Sequence, residues 1–148
     1  MKLICNNPIA NYQYFLLDKY ETGIVLSGDE IKSIRNGHVS IKESFALIKN
    51  NEVWLKNAFI ENYSNSFYSS RNKSNERKDR KLLLHKKEIL KIKKALEQEG
   101  LTLIPTKMYF EGSLVKVEIA LSRGKKLYDK RESIKQKDID RKISREHY

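Results

Sequence analysis

The stretch TLIPTKMYFEGSLVKVEIAL, residues 102–121, reads as two extended runs around Glu111-Gly112-Ser113. In the second run Val115, Val117, Ile119 and Leu121 alternate with Lys116, Glu118 and Ala120. A period of two belongs to a strand with one buried face, and the Gly-containing connection predicts a hairpin. Working outward, residues 12–18 (YQYFLLD), 23–27 (GIVLS), 39–41, 44–48 and 53–60 also read as short strands. Asn50-Asn51 lies between two of them and predicts another hairpin, because Asn tolerates positive φ. Roughly six short strands with a few helices fit a mainly β chain: a small closed antiparallel β-barrel with α-helices flanking it.

The helices are few. In residues 29–35 (DEIKSIR), Ile31 and Ile34 are three apart, Asp29 stands in the first turn, and Asn36-Gly37 supplies a stop. Residues 86–98 give the longest helix, with Ile89, Ile92 and Leu96 at spacings of three and four. This stripe extends back to Leu82, and Gly100 ends the helix. Lys86, Lys87, Lys91, Lys93 and Lys94 lie off the stripe. Residues 64–79 hold many Ser, Asn, Arg and Lys with no apolar period and predict a long mobile loop.

Composition sets the class of partner. The chain has 148 residues and a formal net charge of +11, from 30 Lys and Arg against 19 Asp and Glu. Its 39% hydrophobic and 33% charged residues fit one folded domain with a heavily charged surface. The charge is uneven. Residues 1–70 carry seven basic and seven acidic groups, 71–94 eleven against three, 95–122 two against four, and 123–148 ten against five. Two segments therefore hold the whole surplus, as two contact surfaces or as one surface and a tail. A polyanion is the expected partner, nucleic acid before anionic membrane. One cysteine, Cys5, rules out an internal disulfide framework and a Cys-based zinc site. The opening MKLI lacks the apolar run of a signal peptide, and no stretch nears the ~20 apolar residues of a membrane span. A soluble cytoplasmic protein with no membrane partner is expected.

Residues 1–123 read as the folded domain and 124–148 as a basic tail. Past residue 131 the large aliphatics of the tail are Ile134, Ile139 and Ile143, too few for a stable isolated helix. Ile139 and Ile143 are four apart, so the tail is expected to be disordered alone and to order on its target as an amphipathic helix.

No catalytic pattern stands out. His38, His85 and His147 are scattered, and Gly124-Lys125-Lys126 lacks the glycine and the Ser/Thr of a P-loop. No enzyme activity, cofactor or metal is expected. The acidic pairs Asp29-Glu30 and Asp138/Asp140 are the one hint of a metal-dependent nuclease. Asp29-Glu30 is equally the favourable charge of a helix start. The residue types for RNA binding are present: Lys and Arg for phosphates, and Tyr12, Tyr14, Phe67, Tyr68 and Tyr128 for base stacking. Strand aromatics such as Tyr12 and Tyr14 are usually core. Tyr128, in a basic segment, either stacks or docks.

Three ordered blocks resemble a known family. Residues 20–37 (YETGIVLSGDEIKSIRNG) resemble the YEAGIxLxGxEVKSLRxG signature of the SsrA-binding protein (SmpB) family. Residues 80–85 (RKLLLH) are similar to its RKLLLH block, and residues 124–131 (GKKLYDKR) to its GKKxxDKR block. Asn7, Ala10 and Tyr14 match a weaker amino-terminal pattern. The resemblance implies a barrel related to the oligonucleotide-binding fold, with a basic tail. It implies a non-enzymatic adaptor of trans-translation. Such a protein binds the tRNA-like domain of transfer-messenger RNA (SsrA RNA), promotes its alanylation and delivers it to the A site of stalled ribosomes.

The implied partners are transfer-messenger RNA and the ribosome, at the small-subunit decoding site and mRNA channel. Alanyl-tRNA synthetase and elongation factor Tu are implied indirectly. Carried over by position, Asn7, Glu21, Arg80, Lys81 and Leu83 fall to the tRNA-like domain. Gly124, Lys125, Lys126, Tyr128, Asp129, Lys130, Arg131 and Lys135 fall to the ribosome-binding tail. A carboxylate repels phosphate, so Glu21 either accepts hydrogen bonds from base amino groups or 2′-hydroxyls, or orients a neighbouring Lys or Arg. Leu83 can pack on a base, while core packing is the default for at least one of Leu82, Leu83 and Leu84.

The sequence departs from the family before RKLLLH, where residues 72–80 lack the usual His and Pro, and again beyond Lys135. From that loop only Arg80 and Lys81 are carried over. Two other classes compete: an RNA-processing nuclease or modification enzyme, and a structural ribosomal protein with a globular body and basic tail. With no apolar seam in view, a monomer is expected.

Overall fold

A computed structural model describes residues 1–62 and 76–125 of the chain. In order these form β1 (Lys2–Asn6), α1 (Ala10–Gln13), β2 (Tyr14–Ile24), α2 (Gly28–Arg35), β3 (Val39–Ser40) and β4 (Phe45–Lys49). Then follow β5 (Glu52–Lys56), β6 (Phe59–Ile60), β7 (Arg80–Leu83), α3 (Lys86–Glu99), β8 (Thr102–Glu111) and β9 (Leu114–Gly124).

The alternation in the 102–121 stretch produces the pairing it predicts. Thr102 to Glu111 pair antiparallel with Ser122 to Leu114, and Gly112 takes the positive φ of 61° that the tight connection demands. The inward set of β9, Val115, Val117, Ile119 and Leu121, is buried with Val53, Leu55, Leu82, Leu103 and Met108. The principal sheet has the order β1-β8-β4-β5-β7-β2-β9, and the additional β8–β9 pairing joins its last strand to its second. Six strands, β8-β4-β5-β7-β2-β9, thus close into the expected antiparallel ring, leaving β1 as an appended edge strand. The short β3 and β6 pair separately.

The helices plug and brace the ring. Ile92 of α3 is fully buried, and Ile89, Ala95 and Leu96 pack against the same core. Gly100 ends α3 in the left-handed conformation, at φ 62°. Helix α2 begins one residue earlier than Asp29, because Ser27 is the better cap: its hydroxyl accepts the Glu30 N–H at 3.2 Å, and the Glu30 carboxylate accepts the Ser27 N–H at 3.0 Å. The other Glu30 oxygen accepts from Arg80 Nε at 2.5 Å. That guanidinium is the largest fully buried side chain and also donates to the carbonyls of Ala58 (2.7 Å), Glu76 (3.1 Å) and Lys78 (3.2 Å).

Several expectations change. Residues 12–18 and 23–27 do not make two strands; β2 runs through Tyr14–Ile24, carried past a bulge between Leu16 and Lys19 by its pairing with β9. The 53–60 run breaks at Asn57, whose φ of 62° interrupts the ladder between β5 and β6. Leu82 belongs to β7, paired with Val53, and not to the α3 stripe. Strand β1 and helix α1 add to the predicted elements. Asn50-Asn51 adopts the expected turn, with φ of 53° and 59°. The expected mobile loop at 64–79 falls largely outside the described residues, as does the tail after Lys125.

Burial pushes the Glu30 carboxyl up, but the Ser27 N–H, the Arg80 hydrogen bond and charge, and Lys78 together hold it below its ordinary value of 4.5. A depressed carboxyl contributes stability that is present above the ordinary carboxylate range and is lost as pH falls through the folded value. Thermal unfolding between pH 7 and pH 3 should show this loss, and Glu30→Gln should flatten the slope below pH 4.5. Arg80→Met, which strands a partly buried carboxylate, should cost about 3 kcal/mol at pH 7 in denaturant unfolding.

Candidate nucleic-acid interface

Because side chains alternate along each strand, pairing register decides which residues share the outside of the ring. One outward row runs Leu3, Tyr109, Lys116, Gly23, Leu83, across β1, β8, β9, β2 and β7. The next row runs Asn6, Lys107, Glu118, Glu21. Glu21 and Leu83, far apart in sequence, therefore lie two residues apart along one face. Leu83 is 51% exposed, while its neighbour Leu82 is 1% exposed and faces the core. The core default thus falls to Leu82 and leaves Leu83 outside. Gly23 lies directly beside Leu83, and a Cβ there would stand in ordinary van der Waals contact with the Leu83 side chain, at 3.4 Å from its Cβ.

Glu21 is exposed at residue level, and its carboxylate accepts a hydrogen bond from the Tyr109 hydroxyl. Burial raises the Tyr109 phenol well above its ordinary value, helped by the Glu21 bond and by the charges of Glu21, Glu118 and Glu111. Lys107 Nζ stands 5.6 Å from the centre of the Tyr109 ring. The Thr106 hydroxyl donates to the Glu118 carboxylate. Two carboxylates are thereby oriented by hydroxyls on β8, with Lys107 and Lys116 beside them.

Asn7 holds the end of this face. Only 5% exposed, it donates from Nδ2 to the Pro105 carbonyl at 2.9 Å, and its Oδ1 accepts the Ile9 N–H at 3.2 Å. Its own N–H donates to the Thr106 carbonyl at 2.8 Å. Asn7 is bound on both sides to the protein itself. With Asn6, Lys19, Thr106, Lys107 and Glu118 it lines an open groove of about 380 Å³ that mixes amide, cation and carboxylate. The groove adjoins the Glu21 row through Glu118.

The remaining predicted residues separate. Arg80 is 2% exposed, and its guanidinium is committed to Glu30 and three carbonyls. The expectation that Arg80 contacts RNA is replaced by a buried bracing role: a desolvated cation is stable only when fully paired, and here the pairing points inward. Lys81 faces outward opposite Trp54, with Nζ 3.3 Å from Glu52 Oε1. Gly124 ends β9 opposite Tyr14. Lys125 folds back onto the body, with its N–H 2.8 Å from the Gln13 carbonyl and Nζ 2.7 Å from the Asn11 carbonyl. Lys126, Tyr128, Asp129, Lys130, Arg131 and Lys135 lie outside the described residues.

Sequence reasoning missed Lys107, Thr106 and Tyr109. The alternation of β9 already put Lys116 and Glu118 outside, but only the β8–β9 register, slipped between Pro105 and Lys107, brings those three beside them. Among the described residues no group of three or more His, Cys, Asp or Glu is arranged to hold a metal. Asp29-Glu30 serves the start of α2 and the Arg80 pair instead. No helix among the described residues is long and apolar enough to cross a membrane.

The fold and site together define a small β-barrel protein carrying a mixed-charge groove and outward lysines on one face of the ring. The family description "SmpB protein" matches residues 4–148. The SsrA-binding protein of Geotalea uraniireducens (strain Rf4) is 47% identical over 143 residues, covering 97% of this chain and 93% of that protein. That of Mycoplasma mycoides subsp. mycoides SC is 49% identical over 140 residues, covering 95% and 93%. A chain from the solved structure described as "tmRNA-SmpB: a journey to the center of the bacterial ribosome" superimposes with a TM-score of 0.68. It is 40% identical, covering 88% of this chain and 93% of that one. The chain belongs to the SmpB family of SsrA-binding proteins.

The Tyr109–Glu21 bond has a direct spectroscopic consequence. In an ultraviolet titration of the phenols, the raised step of Tyr109 should vanish in Tyr109→Phe and move to lower pH in Glu21→Gln. Stability should fall by about 1 kcal/mol or less in Tyr109→Phe, the net worth of one hydrogen bond.

Proposed function

We propose that this protein is a non-enzymatic RNA-binding adaptor of trans-translation. It binds the tRNA-like domain of transfer-messenger RNA through the outer face of β8, β9, β2 and β7, and promotes alanylation of that RNA. It then delivers the RNA to the A site of stalled ribosomes for tagging and rescue. One observation carries this reading: in a chain of this family, Glu21 and Leu83, distant in sequence, lie on one outer face beside Lys107 and Lys116, with Asn7 buried at the end of that face. The lysines neutralise phosphates. Leu83 offers an apolar contact for a base or sugar. Glu21 and Glu118, each already held by a hydroxyl, accept hydrogen bonds from base amino groups or 2′-hydroxyls. Fixed carboxylates amid cations favour a folded RNA that presents such donors over a bare phosphate chain.

In the same reading the basic tail, residues 124–148, acts at the small-subunit decoding site and mRNA channel. Lys126, Tyr128, Asp129, Lys130, Arg131 and Lys135 supply the contacts. Alanyl-tRNA synthetase and elongation factor Tu act on the same RNA beside this protein. The site of action is the cytoplasm, and the protein works as a monomer.

Binding to transfer-messenger RNA should exceed binding to bulk tRNA and should weaken steeply with salt. Equal affinity for both RNAs at moderate salt rules the reading out. Lys107→Ala and Lys116→Ala should each reduce the slope of log K against log salt by about one. The combined Asp129→Ala, Lys130→Ala, Arg131→Ala variant should keep its affinity for the RNA and lose tagging on stalled ribosomes. Parallel loss of both would make the tail part of the RNA grip.

A further inference from the structure

The first tail residues are built into the folded body. Helix α1 ends at Gln13, leaving its last carbonyls without helical partners. The Ala10 carbonyl is taken by the Tyr14 N–H. Two further carbonyls are taken by one residue from the far end of the chain: Lys125 Nζ donates to Asn11 at 2.7 Å, and the Lys125 N–H to Gln13 at 2.8 Å. The same ammonium lies 5.0 Å from the centre of the Phe15 ring, and the Arg123 guanidinium lies 5.1 Å from that ring. Gly124, between these two cations, is held opposite Tyr14. A cation at the carbonyl end of a helix and over an aromatic ring is favoured on both counts.

We propose that the end of α1 and Phe15 form a socket for Lys125 that sets the position and direction in which the tail leaves the barrel, making Lys125 and Phe15 positioning residues. Lys125 then belongs to the body and touches no ribosomal group, although it lies in the GKKLYDKR block. The chemistry explains why a lysine fits: a long stem carries the ammonium across the ring to a carbonyl while the backbone N–H closes the adjacent carbonyl. The socket also lies next to the groove. Asn7, which lines the groove, accepts the N–H groups of Ile9 and Ala10 at the start of the same short helix. One four-residue helix thus has a groove residue at its start and the root of the tail at its end. The consequence for delivery rests on the adaptor reading; the socket itself does not.

The test separates the two. In the full chain with Cys5→Ser, spin labels at Lys126→Cys and at Glu97→Cys on α3 report the distance from tail root to body. We expect a narrow distribution that broadens clearly in Lys125→Met and in Phe15→Leu, and stays narrow in Lys125→Arg, which keeps a cation and donors. Equal widths in all four proteins overturn the proposal, as does broadening in Lys125→Arg equal to that in Lys125→Met. Tagging on stalled ribosomes should fall about tenfold in Lys125→Met, matching an interaction of about 1.4 kcal/mol, and recover in Lys125→Arg. Affinity for transfer-messenger RNA should stay within about twofold throughout, since the socket makes no phosphate contact. If the parent protein fails to prefer transfer-messenger RNA while the distances behave as expected, the adaptor reading fails and the socket stands. Loss of tagging in both Lys125→Met and Lys125→Arg would instead make Lys125 a ribosome contact and overturn the positioning role.

Discussion

Strand β8 has two edges and three partners, and the shape of the molecule depends on how it divides them. One edge pairs with β9 along its whole length. The other is shared: Leu103 pairs with Ala46 of β4, and Lys107 to Phe110 pair with β1. The first contact closes the ring, and it is a single register pair. The change of partner falls at Pro105, which has no N–H to donate, and where the pairing with β9 slips by a residue. The Pro105 carbonyl, turned from the ladder, is taken by Asn7. Closing a ring requires the strands to stagger, and here the slip in register and the amide that secures it coincide.

That slip also generates the interface. Past the slip, the residues of β8 that face outward are Lys107 and Tyr109, and these stand beside Glu118, Lys116 and Glu21. A buried phenol next to three carboxylates is costly unless its proton is given away in a hydrogen bond, and Glu21 accepts it. Glu21 is therefore oriented by a core-side demand before any ligand arrives. This explains how an acidic residue keeps a fixed place on a basic protein. Fixed acceptors lose less conformational entropy on binding than mobile ones.

The sequence made the hairpins legible and the non-local partners illegible. The β9 alternation, the Asn50-Asn51 turn and the α3 stripe with Gly100 each depend on neighbours within a few residues, and each is as predicted, save that the stripe does not reach back to Leu82. The resemblance pointed to Glu21 and Leu83 through its blocks and to Asn7 through a weaker pattern; Glu21 and Leu83 lie on one outer face, and Asn7 is buried at its end. Strand β7 was missed because LeuLeuLeu has no period; its inward and outward faces follow only from pairing with β5 and β2. Arg80 was assigned to the tRNA-like domain by its place in the RKLLLH block, which carries no sign of burial. Its partner Glu30 is fifty positions away, inside a segment that already explained its carboxylate as a helix start. Strand β1 exists only because β8 offers an edge beyond β4. Tyr109 reads as an ordinary core aromatic until Glu21 is placed above it.

The division of charge takes on a different meaning once the described residues are in place. The 71–94 surplus includes cations that are internally matched: Arg80 with Glu30, Lys78 with Glu30, Arg77 with Glu43 and Lys81 with Glu52. Net charge in a segment therefore overstates what it offers to a polyanion, because paired cations release fewer counterions on binding. The outer face, by contrast, draws on 95–122, the one segment with a negative balance, and works through the placement of Lys107 and Lys116 among fixed carboxylates. Arg123 and Lys125 complete the pattern. They open the second basic run, yet both are drawn to Phe15 on the body. The folded part thus holds back cations that hold its own elements together, and a basic composition becomes a small number of positioned contacts only through the register of the strands.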